Sequence, residues 1–276
     1  MKLWQARNCI KENLTSISGD EAAMEAGIML SHVTGLDALE LLMQAERELL
    51  PAELNTIELM VKRRLDNEPI QYILGEWELM GLTFKTDKCA LIPRQDTETV
   101  IEAALKLSEK HVYRTALDIC CGTGCIGISL ARYGGLDVTL ADISRECVAL
   151  AAENAKLLGV DVNMLCSDMF SEIAGKFDII VCNPPYIRTH DISLLKPELS
   201  FEPRLALDGG EDGLDFYRVL ADGFEERLNR GGALVLEIGY DQAKSVSDLL
   251  LKRNNGLYIE VLRDLSGNER CIIAKP

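Results

Sequence analysis

The chain opens with helical spacing and later changes to an alternation of short apolar runs and amphipathic stretches. Leu3, Ile10, Leu14 and Ile17 recur along one helical face, and Ser18-Gly19-Asp20 interrupts it. Residues 20–33 read as a second helix with Asp20 as N-cap, and residues 37–46 as a third. Pro51 opens a fourth that runs to about Asn67, in the first turn, where a missing N–H costs nothing. Over residues 70–92 the pattern shortens. Gln71-Tyr72-Ile73-Leu74-Gly75 and Leu82-Thr83-Phe84-Lys85 predict short strands about a turn at Gly81.

From residue 94 helix and strand alternate. Residues 96–110 predict a helix, and apolar runs at 116–120, 138–141, 162–166, 177–182 and 233–238 predict strands with helical stretches between most of them. Runs near 257–262 and 271–274 predict a terminal hairpin. This alternation implies an α/β fold, a parallel sheet with helices on both faces. The expected organisation is a small helical N-terminal domain over 1–69, a β-hairpin linker over 70–92 and a doubly wound domain over 93–276. Such sheets bind ligands beyond the C-terminal ends of their central strands, so the residues that follow each apolar run matter most.

Composition narrows the partners. The formal net charge is −15, which disfavours long nucleic acids, whose grip depends on a basic face. No apolar stretch approaches the length of a bilayer span, and MKLWQARNCIKENL lacks a signal peptide's apolar core, so a cytoplasmic protein without a membrane partner is expected. The nine cysteines are scattered and mostly embedded in apolar strands, where free Cys packs as a small hydrophobe. Cys120, Cys121 and Cys125 cluster in a glycine-rich turn without paired Cys-x-x-Cys spacing, and no metal is expected.

Leu117-Asp118-Ile119-Cys120-Cys121-Gly122-Thr123-Gly124-Cys125-Ile126-Gly127 runs from a strand into a helix with G-x-G-x-x-G spacing. Its glycines permit a tight turn, and the helix start offers free N–H groups. Asp142, after the next strand, is placed to accept ribose hydroxyls, and Asp168, after the third, the adenine amino group. Taken alone, the glycines suit NAD as well as S-adenosylmethionine. Asp118, just before them, would repel a pyrophosphate but favour a ligand carrying an ammonium and a sulfonium.

The fourth run, Phe177-Asp178-Ile179-Ile180-Val181-Cys182, stops at Asn183-Pro184-Pro185-Tyr186. Prolines end the strand and stiffen the turn. An Asn183 side-chain oxygen and a Pro184 carbonyl can accept the two N–H bonds of a planar NH2 group. Two fixed acceptors support positive charge developing on that nitrogen and align its lone pair for methyl transfer. Tyr186 offers a stacking face. The plainer reading is a turn that merely ends a strand.

Together the cofactor turn and the Asn-Pro-Pro-Tyr turn resemble class I S-adenosylmethionine-dependent methyltransferases, whose sheet is Rossmann-like. The segments Pro69-Ile70-Gln71-Tyr72-Ile73-Leu74-Gly75, Leu91-Ile92-Pro93-Arg94-Gln95-Asp96-Thr97-Glu98 and Phe201-Glu202-Pro203-Arg204-Leu205-Ala206-Leu207-Asp208-Gly209-Gly210 are similar to signature segments of the peptide chain release factor glutamine N5-methyltransferases. The resemblance covers nearly the whole chain. It implies methylation of the glutamine amide in the Gly-Gly-Gln motif of bacterial class I release factors. A monomeric enzyme is expected, and the acidic balance predicts no stable nucleic acid partner. The resemblance also implies that Asn183, Pro184, Pro185 and Tyr186 hold the amide, with Arg94 and Glu98 on the substrate side. Asp118, Cys120, Gly122, Gly124, Asp142, Ile143, Asp168, Met169, Thr97 and Asn183 would contact the cofactor. Lys62, Arg63 and Arg64 offer local positive charge to a docking release factor, or an ordinary solvated helix face.

The rival reading is a DNA adenine or RNA guanine N-methyltransferase, because the same turn serves those amines. It calls for a basic recognition domain, which this acidic chain lacks. An NAD-dependent oxidoreductase needs a catalytic acid, and His32, His111 and His190 offer no convincing one.

Overall fold

The computed structural model describes all 276 residues, Met1–Pro276. They form two units, Met1–Gly75 with Lys196–Phe201, and Glu76–Leu195 with Glu202–Pro276.

In the first unit the helical spacing produces α1 (Leu3–Ser18), α2 (Ala22–Thr34), α3 (Ala38–Met43), α4 (Pro51–Leu65) and α5 (Ile70–Leu74). Leu3, Ile10 and Leu14 of α1, Met29 and Leu30 of α2, and Ile57 and Met60 of α4 are buried and form its core. Asp20 does not cap α2. It lies inside a 3₁₀ turn, Gly19–Glu21, that joins α1 to α2. The strand expected at residues 71–75 is the helical turn α5. Pro69 starts it, and Gly75 ends it at φ 78 with its N–H bonded to the Gln71 carbonyl, so Ile70, Tyr72 and Ile73 are buried in helical register.

Arg64 is also turned inward. It pairs with buried Glu25 at 3.0 Å and with Glu198 at 2.5 Å. Arg63 pairs with Glu68 at 2.7 Å. Neither guanidinium is the unengaged surface charge that the sequence suggested. A buried charge needs a partner to offset its lost hydration, and the acids that supply it come from other segments.

The second unit starts with the antiparallel hairpin β1 (Glu76–Leu79) and β2 (Leu82–Lys85). There follow α6 (Glu98–His111), β3 (Thr115–Ile119), α7 (Cys125–Gly134), β4 (Asp137–Asp142), α8 (Arg145–Leu157), β5 (Asn163–Cys166) and β6 (Phe177–Cys182). After β6 come α9 (Asp215–Gly223), β7 (Leu228–Glu237), α10 (Ala243–Arg253), β8 (Tyr258–Arg263) and β9 (Glu269–Lys275). β3 to β9 make one seven-stranded sheet in the order β5-β4-β3-β6-β7-β9-β8. Strands β5, β4, β3, β6 and β7 run parallel, and the expected terminal hairpin of β8 and β9 joins through β9, which pairs antiparallel with both β7 and β8.

Side-chain alternation sorts the core into two layers. Ala116 and Val138 pack on one face with Ile101 of α6, Ile128 of α7 and Ala151 of α8. Leu117, Ile180 and Leu236 pack on the other with Leu220 of α9 and Val246 of α10. This is the expected doubly wound α/β sheet with helices on both faces. The chain runs from β3 outward to β4 and β5, then returns to β6 on the other side of β3, and the crevice at such a reversal is where these sheets bind ligands. No helix is long and apolar enough to cross a membrane.

Candidate active site

A cavity of about 230 Å³ opens at that reversal. Its walls come from the ends of successive parallel strands: Cys120 and Gly122 after β3, Asp142 and Ile143 at the end of β4, Asp168 and Met169 after β5, and Asn183 and Pro185 after β6. Thr97, at the start of α6, and Arg94 complete the wall among the residues expected from the sequence.

Other expected residues lie off the wall. Asp118 is fully buried and does not line the cavity. Alternation along β3 turns its side chain toward α7, where its Oδ2 accepts the Gly127 N–H at 2.8 Å. The N-cap of α7 is Gly124, which has no side chain to accept those amides. Asp118 therefore caps α7 from the sheet beneath it. Gly124 itself stands at φ 79, a left-handed conformation that suits glycine. Glu98 is spent on the hairpin, accepting the Met80 N–H at 2.9 Å. Pro184 is buried behind the wall, and Tyr186 directs its hydroxyl to Glu237 rather than presenting its ring to the cavity.

Electrostatics decide what the cavity can hold. Asp142 Oδ2 accepts the Gly122 N–H at 2.9 Å and its Oδ1 the Ser144 N–H at 2.9 Å. Burial still raises the Asp142 pKa, against the pull of those bonds. Burial likewise pushes Asp118 up to about 7, and its Oδ1 has no hydrogen-bond partner. The amides that would cradle a pyrophosphate, Gly122 and Gly127, are thus each bonded to a carboxylate. The one cation on the wall, Arg94, is paired with Glu202. This donor set fits a nucleoside with a cationic tail and opposes a dinucleotide.

Cys120 and Met169 hold left-handed backbone at φ 60 and 47, and their sulfurs stand 3.8 Å apart across the cavity floor. Such conformations persist in non-glycine residues only when the surroundings impose them. Burial raises the thiol pKa of Cys147, another wall residue, to about 12, which keeps it protonated and inert.

The sequence reading assigned no role to Glu202, Glu237 or Gln242. Glu202 accepts the Ile92 N–H at 2.9 Å and pairs with Arg94, stapling two wall segments together. Gln242, buried in the turn before α10, donates from its Nε2 to the Tyr186 carbonyl at 2.9 Å. Glu237 ends β7 and accepts the Thr97 hydroxyl at 2.7 Å. An acid at the end of an apolar strand was the very signal that singled out Asp142, and it would have found Glu237 in Ala233-Leu234-Val235-Leu236-Glu237.

Fold and site define a methyltransferase of the class I architecture. The chain matches the family models Methyltransferase small domain over residues 99–196 and PrmC N-terminal domain over residues 5–75. It is 40% identical over 280 residues to the release factor glutamine methyltransferase of Moorella thermoacetica, covering 99% of this chain and 98% of that protein. The Geobacter sulfurreducens protein of the same name is 41% identical over 230 residues, 82% of this chain and 80% of that one. A methyltransferase structure from Pyrococcus furiosus, 16% identical, superposes with a TM-score of 0.52 over 82% of this chain and 98% of that chain, which supports the fold alone. The chain belongs to the release factor glutamine methyltransferase family.

Proposed function

We propose that the protein methylates the side-chain amide nitrogen of the glutamine in the Gly-Gly-Gln motif of bacterial class I peptide chain release factors, with S-adenosylmethionine as donor. When bound, that cofactor supplies an electrophilic methyl group on a sulfonium. Asp142 would hold the ribose, Ile143, Asp168 and Met169 the adenine side, and Cys120 and Gly122 the methionine side. Asp118 then acts through α7 and not by contact. Family membership supports the reaction, and the charge pattern of the wall supports the donor.

The observation that carries the site assignment is the setting of Asn183. Its Nδ2 donates to Thr97 Oγ1 at 3.5 Å, which leaves Oδ1 to accept an N–H from the acceptor amide. A residue before proline is held in extended backbone, so the acceptor is fixed in place. The second N–H would go to the backbone carbonyl of Pro184, whose ring packs behind the wall, and the apolar wall of Ile92, Pro93 and Leu205 keeps water from competing for the pair. The helical segment, which runs to Gly75 rather than to residue 69, serves as the docking domain of a monomeric cytoplasmic enzyme that needs no stable nucleic acid partner.

Incubation with methyl-labelled cofactor tests this directly. Label is expected on release factor, and on neither its Gln-substituted form nor DNA. Label on DNA, or label that survives the Gln substitution, overturns the reading.

A further inference from the structure

We propose that Glu237 is a positioning residue for methyl transfer, acting through the Thr97 hydroxyl to set which atom of the Asn183 amide meets the acceptor. The proposal rests on the reading that Asn183 holds the acceptor amide.

Glu237 is 2% exposed at the end of β7. It accepts the Thr97 hydroxyl at 2.7 Å through Oε2 and the Tyr186 hydroxyl at 3.4 Å through Oε1. An ionised carboxylate only accepts, so the Thr97 proton must point to it. The Thr97 lone pairs then face the other way, where the Asn183 Nδ2 donates to them. An asparagine amide has one accepting and one donating end, and with its NH2 engaged the oxygen faces the substrate. Reversed, it would offer two donors to an acceptor whose nitrogen also donates. Glu237 thereby gives direction to a chain that ends at the reacting group.

The same carboxylate holds both ends of the turn, since Tyr186 follows Asn183 by three positions. The Glu237 backbone is fixed in turn by the Tyr217 hydroxyl, which donates to its carbonyl at 2.8 Å. The nearby cation, Arg270 of β9, is committed to Asp264 at 3.2 Å and Asp96 at 3.1 Å. The titratable groups around Glu237 are therefore Arg270 and Cys271 from β9, Asp96 before α6, Cys125 from α7, Tyr186 after β6 and Tyr217 from α9. Burial outweighs Arg270 and the hydroxyls and lifts the Glu237 carboxyl to about 7. A protonated carboxyl donates to Thr97 as readily as it accepts, and the chain loses its direction. Turnover should consequently rise with pH through about 7.

The test measures kcat, KM and cofactor affinity against pH, with release factor as substrate, for Glu237→Gln, Thr97→Val, Thr97→Ser and Asn183→Ala. Glu237→Gln and Thr97→Val should lower kcat by on the order of tenfold to a hundredfold, with cofactor affinity kept, and should both lose the step near neutral pH. Thr97→Ser should restore kcat and the step. A step that persists in Glu237→Gln belongs to another group and overturns the proposal, as does a wild-type kcat in Thr97→Val. If Glu237→Gln does not fold, Thr97→Val decides alone. Asn183→Ala separates the two readings. Activity retained there removes the site assignment itself, whereas activity lost there but kept in Glu237→Gln removes only the positioning role.

Discussion

Gly209 lies directly against the backbone of Tyr186: a Cβ placed on Gly209 would stand 2.7 Å from the Tyr186 Cα and 2.8 Å from the Pro185 carbonyl oxygen. The two segments are also bonded to each other, Gly209 N–H to the Ile187 carbonyl at 2.8 Å and Ile187 N–H to the Leu207 carbonyl at 2.9 Å. The stretch after Asn-Pro-Pro-Tyr is therefore clamped from outside as well as stiffened from within. The contact gives a physical role to a glycine that had entered only as part of a similar segment.

Gly209→Ala should push that stretch away, because its neighbours are backbone atoms with nowhere to yield. Overpacking of this kind costs about 1–3 kcal/mol. The expected result is a lower unfolding midpoint in denaturant and a fall in kcat larger than any change in cofactor affinity. A variant with wild-type kcat and stability would show that the stretch gives way freely.

Asp142→Ala removes the acceptor for the Gly122 and Ser144 amides along with the proposed ribose contact. Cofactor affinity should drop by at least tenfold, in keeping with the roughly 1.5–3 kcal/mol of a hydrogen bond to a charged group. Calorimetry with the cofactor alone measures this without any methyl transfer. Unchanged affinity would reject the ribose role.

Arg94→Ala should leave the Glu202 carboxylate bonded to Ile92 but without its cation. The cost is about 1–3 kcal/mol of stability, moderated because Arg94 is partly exposed. Loosening of the wall should show as faster cofactor dissociation in stopped flow. A dissociation rate equal to that of the parent would place the wall's rigidity elsewhere.

Asp118 gives a pH signature. Its folded-state pKa, about 7, lies above the ordinary carboxylate value, so between roughly pH 4 and 7 the folded chain binds more protons here than the unfolded one. This group's contribution to stability falls as pH rises across that window and is level above it. Asp118→Asn should therefore gain on the parent as pH rises from about 4 to 7, at up to about 1.4 kcal/mol per pH unit. Denaturant unfolding of both proteins without cofactor, across that range, measures the difference. A difference independent of pH would mean that Asp118 titrates normally.

Much of this molecule could be read along the chain because its signals are local. Alternation of apolar residues marked the strands, the Gly122 turn marked the first loop that lines the cavity, and an acid after each of two strands marked Asp142 and Asp168 on its wall. Residues 71–75 misled because Tyr72 and Ile73 are common in strands, while the caps at Pro69 and Gly75 make a helical turn. Asp118 misled for a different reason. Its position before the glycines pointed to the ligand, but the period-2 alternation of β3 turns it under α7.

The order of helices and strands, and the side chains at the ends of those strands, were properties of the amino-acid order alone. The pairings that make the site work were not. Thr97 meets Glu237 across 140 positions, Arg94 meets Glu202 across 108, and Gly209 meets the backbone of Tyr186, in a fold whose sheet places β6 beside β3 out of chain order and β7 beside β6. Hydrophobic periodicity is a local consequence of backbone geometry, so it survives in the sequence. A hydrogen bond between distant segments has no such period, and only the closed fold decides that the carboxylate meeting Thr97, beside Asn183, is Glu237.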